Sequence, residues 1–255
     1  MLAKLFKKLE EEKRQALIVD VCCGDISIDF SEKLIAEICK RGVDVVELVV
    51  PFSDPMADGK SIQAASNRAL KNAVNIKDIF AMAKRLRSRG VNTPFVLSSY
   101  FNPIFKAGVA NVVDACVDSK INALKVVDVP LEEADEILCE TSTKPVDFVS
   151  FISCTTPLER VKKISQIGSG FLHCIQSQYD SDSCKLANIA QLHKYSNLPI
   201  VVDSSNFQEC AEGVVLSGEF IDIVYRTYEE AGECSALTRA GKFISEASSS
   251  FKRRS

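Results

Sequence analysis

The chain carries ten cysteines but no CxxC pair, and only two histidines to complete a metal site. The cysteines are scattered at positions 22, 23, 39, 116, 139, 154, 174, 184, 210 and 234, several inside apolar patterns such as Ile38-Cys39, Ala115-Cys116 and Leu138-Cys139. A free thiol in such a setting behaves as a small hydrophobe. This spacing excludes a disulfide framework, leads us to expect no metal, and reads as a reduced, cytoplasmic protein. No apolar run approaches the ~20 residues of a membrane span. The N-terminal stretch MLAKLFKKLEEEKRQ lacks a signal-peptide hydrophobic region and reads instead as an amphipathic helix. Charge of one sign is lacking too. A net charge of −3 gives no electrostatic case for nucleic acid or an anionic membrane, and the short basic end Lys252, Arg253, Arg254 does not change that. No linker or low-complexity tract divides residues 1–255, so one domain is expected.

What is present is alternation. Strand patterns occur at Leu17–Val21, Asp44–Val50, Pro94–Ser98, Ala123–Val127, Phe148–Ile152, Gly170–Ile175, Pro199–Val202 and Ile221–Tyr225. Helical patterns lie between them, including Ser31–Arg41, Ser61–Lys71, Ile76–Arg89, Val109–Asp118, Glu132–Cys139, Pro157–Ile167 and Leu186–Tyr195. Eight short buried strands alternating with helices predict an α/β fold, a (β/α)8 TIM barrel with an extra N-terminal helix. At 255 residues, with 46% apolar residues, the chain suits such a barrel, which often runs to ~250 residues. A doubly wound open sheet is the alternative, but no GxGxxG follows the first strand to support it.

In a barrel the loops after the strands carry the chemistry. The segment ELVVPFSDPMADGKSIQ, Glu47 to Gln63, places two carboxylates there. On period-2 alternation Glu47 shares a face with Val43, Val45 and Val49, and a carboxylate among valines must be paired, solvated or chemically employed. Asp58 follows in a loop broken by two prolines and a glycine. Desolvation should raise the pKa of Glu47, as a proton donor near neutrality requires, while Asp58, beside backbone N–H groups, should stay ionised more easily. The competing reading makes Glu47 a structural ion-pair partner and Asp58 a helix cap.

The same words resemble a family. ELxxPFSDPxADGxxIQxAxxRAL is similar to the signature of the tryptophan synthase alpha chain, and further matches follow in order: GDISIDFS, SSYFNPIFKAG, VVDVPLEEA, SCTTPLERVKKIS and GSGF. The resemblance implies a lyase of tryptophan biosynthesis that cleaves indole-3-glycerol phosphate by a retro-aldol reaction. It implies Glu47 as general acid–base and Asp58 as the acceptor of the indole N–H. Tyr100 would bond near the carboxylates or serve as a rim aromatic; Ile62 would pack against the indole or make a helix-start core contact. The resemblance implies no cofactor in this chain, with pyridoxal phosphate in a beta-chain partner. The assembly would contain two alpha and two beta chains, docking through Asp54, Pro55, Asn102 and Pro130.

Other segments depart from the family. Its mobile SRxGVTG-like loop is replaced by GFLHCIQSQYDSDSCK, with Ser181 at the threonine position and Asp180 and Asp182 beside it. His173 replaces a tyrosine, as an acid–base group or as pocket lining. The GFG phosphate segment becomes Asp203-Ser204-Ser205, and a gapless alignment puts Val224-Tyr225 at the family's Gly-Ser pair. Ser205 and Tyr225 then become substrate-binding candidates, and Arg226 a replacement anchor or a solvent-facing side chain. Asp203 pointing inward would cost a phosphate dianion roughly 1–4 kcal/mol. Asp20 touches a ligand or joins a polar network. Two alternatives to the lyase follow: a catalytically weak subunit that activates the beta chain, and a barrel enzyme of another phosphorylated metabolite.

Overall fold

The computed structural model describes residues 1–153, 155–175, 189–203 and 210–250. Eight parallel strands close into a barrel in sequence order. They are β1 (Ala16–Cys22), β2 (Val45–Val49), β3 (Phe95–Ser99), β4 (Ala123–Val126), β5 (Asp147–Ser153), β6 (Leu172–Ile175), β7 (Ile200–Asp203) and β8 (Gly213–Leu216). Helices α2 (Ile28–Lys40), α3 (Lys60–Lys71), α4 (Ile76–Ser88), α5 (Phe101–Ala107), α6 (Val109–Asp118), α7 (Asp135–Thr141) and α8 (Leu158–Ile167) lie along the chain between them, and Gly218–Ser250 forms a C-terminal helix interrupted at Gly232. The TIM barrel is therefore as expected.

The N-terminal helix α1 (Leu2–Glu11) buries Leu2, Phe6 and Leu9, spaced three and four residues apart on one helical face. They pack into the barrel's lower interior against Ala16, Ile18, Val45, Val96, Ala123, Val149, Phe171, Val201 and Val215. Each such side chain contributes about 1.5–3 kcal/mol by leaving water. A second apolar shell, led by Leu17, Val19, Phe95, Leu97 and Leu124, joins the outer strand faces to the helices. Val43 belongs to this outer shell and precedes β2, so it does not share the face of Glu47. Helix α2 begins where the Ser27 hydroxyl accepts the Phe30 N–H at 3.0 Å. Gly24, before it, has φ +91°, and a Cβ there would lie 2.5 Å from Val74, so only glycine fits.

Two expected elements need correction. Glu132–Cys139 is a 3-10 turn, Leu131–Glu133, followed by α7. More consequentially, Ile221–Tyr225 is not a strand. Phe220, Ile221 and Val224 are buried on one face of the C-terminal helix, whereas the eighth strand is the four-residue Gly213–Leu216. Gly213 permits the close approach of its neighbours: a Cβ there would lie 3.1 Å from both Ala16 and Val201.

Candidate active site

Period-2 alternation and parallel register bring side chains from both odd and even strands into the barrel mouth. Asp20 on β1 pairs in register with Glu47 on β2, and Ser98 on β3 with Lys125 on β4. Phe151 on β5 pairs with His173 on β6, while Asp203 ends β7. A cavity of about 550 Å³ opens above them. Asp20, Asp58, Ile62, Ser98, Tyr100, Lys125, Phe151, His173, Asp203, Ser217, Gly218 and Glu219 all contribute to its wall. A separate cleft of about 380 Å³ near Pro130 and Arg160 holds neither Glu47 nor Asp58.

Glu47 is 0% exposed and contributes no surface to the cavity. Its Oε2 accepts a hydrogen bond from the Lys125 ammonium, which lines the cavity at 3% exposure. Burial pushes the Glu47 carboxyl up, to about 8; Lys125 opposes that rise and Asp20 adds to it. Burial works against the Lys125 ammonium, but Glu47, Asp20 and Asp203 outweigh it and hold its pKa above the ordinary lysine value. Both groups therefore hold their protons at neutral pH, an ammonium against a carboxyl, and Glu47 becomes a carboxylate able to take a proton as pH approaches 8. Lys125 was absent from the sequence reading. Its signal was the one that exposed Glu47: a charged residue inside an apolar strand, here Ala-Leu-Lys-Val-Val.

Asp58 reaches the same cavity from the loop after β2. It accepts a 3.0 Å bond from the Tyr100 hydroxyl, which in turn accepts the Ala57 N–H at 3.0 Å. Tyr100 stacks on Phe52. Burial raises Asp58, and the Tyr100 bond partly opposes this. Ile62 lines the cavity and also packs against the Cys22, Ala65, Ala69 and Ile221 cluster, the expected core contact at the start of the helix. His173 is buried, stacks on Phe151 and bonds through Nε2 to Asp203 at 3.1 Å. Asp203 does face the cavity; burial opposes its ionisation, and His173 and Lys125 together lower its pKa. Asp20 lines the cavity within the polar cluster.

The corrected eighth strand moves the expected phosphate positions. Ser217-Gly218, not Val224-Tyr225, follows β8 at the head of the C-terminal helix and borders the cavity. Tyr225 and Arg226 lie two turns further on. The Tyr225 ring lies 3.6 Å beneath the Arg68 guanidinium, which forks onto Asp25 at 2.6 and 2.9 Å, and Arg226 is exposed. Neither lines the cavity. Ser181, with Asp180 and Asp182, and Ser205 lie outside the described residues. Asp54, Asn102 and Pro130 are exposed and Pro55 half-buried on the loops around the mouth, outside the cavity. Asp128 ties two of these loops together by accepting the Phe101 N–H at 2.7 Å.

Four buried polar atoms in this region have no hydrogen-bond partner among the described residues: Asp20 Oδ1, Glu47 Oε1, His173 Nδ1 and Ser217 Oγ. Native interiors rarely leave such groups unmet without a ligand or water.

The model of the tryptophan synthase alpha chain family matches residues 6–246. This chain belongs to the tryptophan synthase alpha chain family. It is 31% identical over 234 residues to the tryptophan synthase alpha chain of Petrotoga mobilis, covering 86% of this chain and 90% of that one. With the alpha chain of Methanocaldococcus jannaschii it is 32% identical over 248 residues, covering 91% and 87%. The crystal structure of tryptophan synthase subunit alpha from Legionella pneumophila superposes with a TM-score of 0.92 at 28% identity, covering 98% of this chain and 97% of that one. The family is a lyase of tryptophan biosynthesis, and its reaction is cleavage of indole-3-glycerol phosphate to indole and glyceraldehyde 3-phosphate. No helix among the described residues is long and apolar enough to cross a membrane.

Proposed function

We propose that this chain, acting as one barrel domain in the cytoplasm, performs the family's retro-aldol cleavage in the mouth cavity. The observation that carries this is the convergence of the Glu47–Lys125 pair and Asp58 on one cavity. Cleavage must protonate the indole ring at C3, remove the proton of the glyceryl hydroxyl and accommodate charge on the ring nitrogen. Lys125 stands between Glu47 and the cavity, so the pair serves as one acid–base unit, with the ammonium delivering a proton that Glu47 helps restore. Asp58, oriented by Tyr100, accepts the indole N–H. Ser217 and the head of the C-terminal helix offer the phosphate a hydroxyl and backbone N–H groups. Asp203 and Glu219 weaken that grip by like charge, so affinity should be poor.

A second reading is favoured by the rim. Met56 is 92% and Phe105 62% exposed, on the loop carrying Asp54 and Pro55 and on the helix carrying Asn102. Large apolar side chains left bare among such loops suit a protein partner. We infer a beta-chain partner that carries pyridoxal phosphate, two alpha chains and two beta chains to the assembly, with no cofactor of this chain's own. Binding to one state of these loops suffices to activate the partner even where cleavage is slow.

The test is indole release from indole-3-glycerol phosphate by the purified chain, alone and with the beta chain. Release that is lost in Glu47→Gln and reduced less in Asp58→Asn supports the lyase. No release under either condition overturns it. Stimulation of tryptophan formation from indole and serine would then support the activator reading; its absence, or its survival in Phe105→Ala with Asn102→Ala, would reject that role or its surface.

A further inference from the structure

A lysine amine on the wall of the barrel-mouth cavity, with a carboxyl group directly behind it, can do more than relay protons. Lys125 is 3% exposed, faces the cavity and bonds Glu47 at Oε2, while Asp20 acts on the same carboxyl. The Phe151 ring lies 5.4 Å from Nζ and gives it an apolar flank. Among the described residues, Asp20, Asp58, Asp203 and Glu219 bring carboxyl groups to the cavity wall. Carboxylates disfavour an anionic ligand but accept hydrogen bonds from hydroxyl groups.

We propose that Lys125 is a nucleophilic amine that forms an imine with a small uncharged hydroxy-aldehyde or hydroxy-ketone bound in the barrel mouth, with Glu47 as its proton partner. The proposal rests on the reading of this cavity as the reaction site, but not on indole-3-glycerol phosphate as substrate.

The step balances without an oxidant or reductant. Glu47, as the carboxylate, takes a proton from the Lys125 ammonium, freeing the nitrogen lone pair. Nζ attacks the carbonyl carbon, a C–N bond forms, and the C=O π pair moves to oxygen, which takes a proton from the attacking nitrogen and so restores the nitrogen pair. The nitrogen pair then expels that oxygen as water, with a proton returned from Glu47, leaving a C=N bond. Amine and carbonyl thus give imine and water. The carboxylates of Glu47, Asp20 and Asp203 hold the Lys125 ammonium against burial, so it is the direct contact of Nζ with Glu47 that gives the proton a place to go. The Lys125 amine reaches the cavity wall beside the Phe151 ring, which places Nζ where a bound carbonyl carbon can be attacked.

The experiment treats the full chain with glyceraldehyde and sodium cyanoborohydride, then maps modified peptides by mass spectrometry. The expected result is that the peptide carrying Lys125 gains the mass of the aldehyde less one oxygen atom, sooner than every other lysine peptide. Lys125→Arg, which keeps the charge but cannot form the imine, should lose that adduct and leave surface labelling unchanged. Glu47→Gln should slow it. Labelling of Lys125 no faster than that of surface lysines overturns the proposal. This ranking is made on the unmodified chain, so it decides the matter whether or not the variants fold. Indole release on the same preparation separates the two readings. Release without a Lys125 adduct removes the imine and keeps the lyase, whereas an adduct without release keeps the imine and removes indole-3-glycerol phosphate.

Discussion

At the bottom of the barrel Arg14 grips Asp44 with two bonds, of 2.6 and 2.8 Å, and Asp44 also accepts the Leu17 N–H at 2.8 Å. At the mouth Lys125 meets a single oxygen of Glu47, and Oε1 has no partner among the described residues. Both are acid–base pairs, yet only the lower one saturates its carboxylate. The interior between them follows the same division. Its lower part is filled by α1 and the apolar side chains of the strands, and its upper part by Asp20, Glu47, Lys125, His173 and Asp203. One alternating strand pattern therefore builds a closed core at one end and a set of unmet polar groups at the other. This is the division expected when the bottom face holds the fold and the top face binds.

The comparison breaks most sharply at Lys125. Lys125→Ala should cost about 3–5 kcal/mol in urea unfolding, because it leaves the fully buried Glu47 side chain without its partner. Lys125→Met combined with Glu47→Leu should recover most of that loss. An equal loss in the double variant would mean that packing, not charge, supports the mouth. At the other end Phe6→Ala should cost about 3 kcal/mol through the cavity it opens in the plug, with cleavage activity per folded molecule unchanged. A large drop in that activity would deny the separation of the two ends.

A smaller effect should appear in the pH dependence. Folding raises the Glu47 carboxyl from an ordinary 4.5 to about 8, so the folded chain holds a proton that the unfolded chain has released. That contribution is fully present below about 4.5 and is lost as pH rises toward 8, at a slope of up to ~1.4 kcal/mol per pH unit for one proton. The raised Asp58 acts in the same direction from its ordinary 3.8 upward. Asp203 is lowered and matters only under acid conditions; Lys125 is raised and matters only above 10.5. Unfolding midpoints measured across this window should fall with rising pH in the wild type and fall less in Glu47→Gln. The smallest effect belongs to the helix cap: Ser27→Ala should cost about 1 kcal/mol, measured by thermal unfolding, without altering the mouth.

Much of this was legible locally. Seven strands were, because runs such as Val45 to Val49 and Phe95 to Ser99 are apolar, short and bounded by turn residues. The eighth was not. Gly213–Leu216 is only four residues long, while Ile221–Tyr225 alternates like a strand but buries Ile221 and Val224 against one helical face. That error put Val224-Tyr225, rather than Ser217-Gly218, directly after the eighth strand. Glu47 and Asp58 stood out as carboxylates in and after a valine-rich strand. Their pairings did not, since Lys125 and Asp203 reach Glu47 and His173 only through register and barrel closure, which no local window contains. The bond from Tyr100 to Asp58 likewise joins loops 42 residues apart.

The central claim is that Glu47 and Lys125 work as one unit facing the substrate. A double-mutant cycle on indole release from indole-3-glycerol phosphate tests it most directly, using Glu47→Gln, Lys125→Met and their combination, each checked to be folded by circular dichroism. The account predicts a loss of kcat/KM on the order of 10²-fold or more in each single variant, and a double variant no worse than the worse single one. Losses that multiply, or a Lys125→Met chain with wild-type turnover, would contradict it.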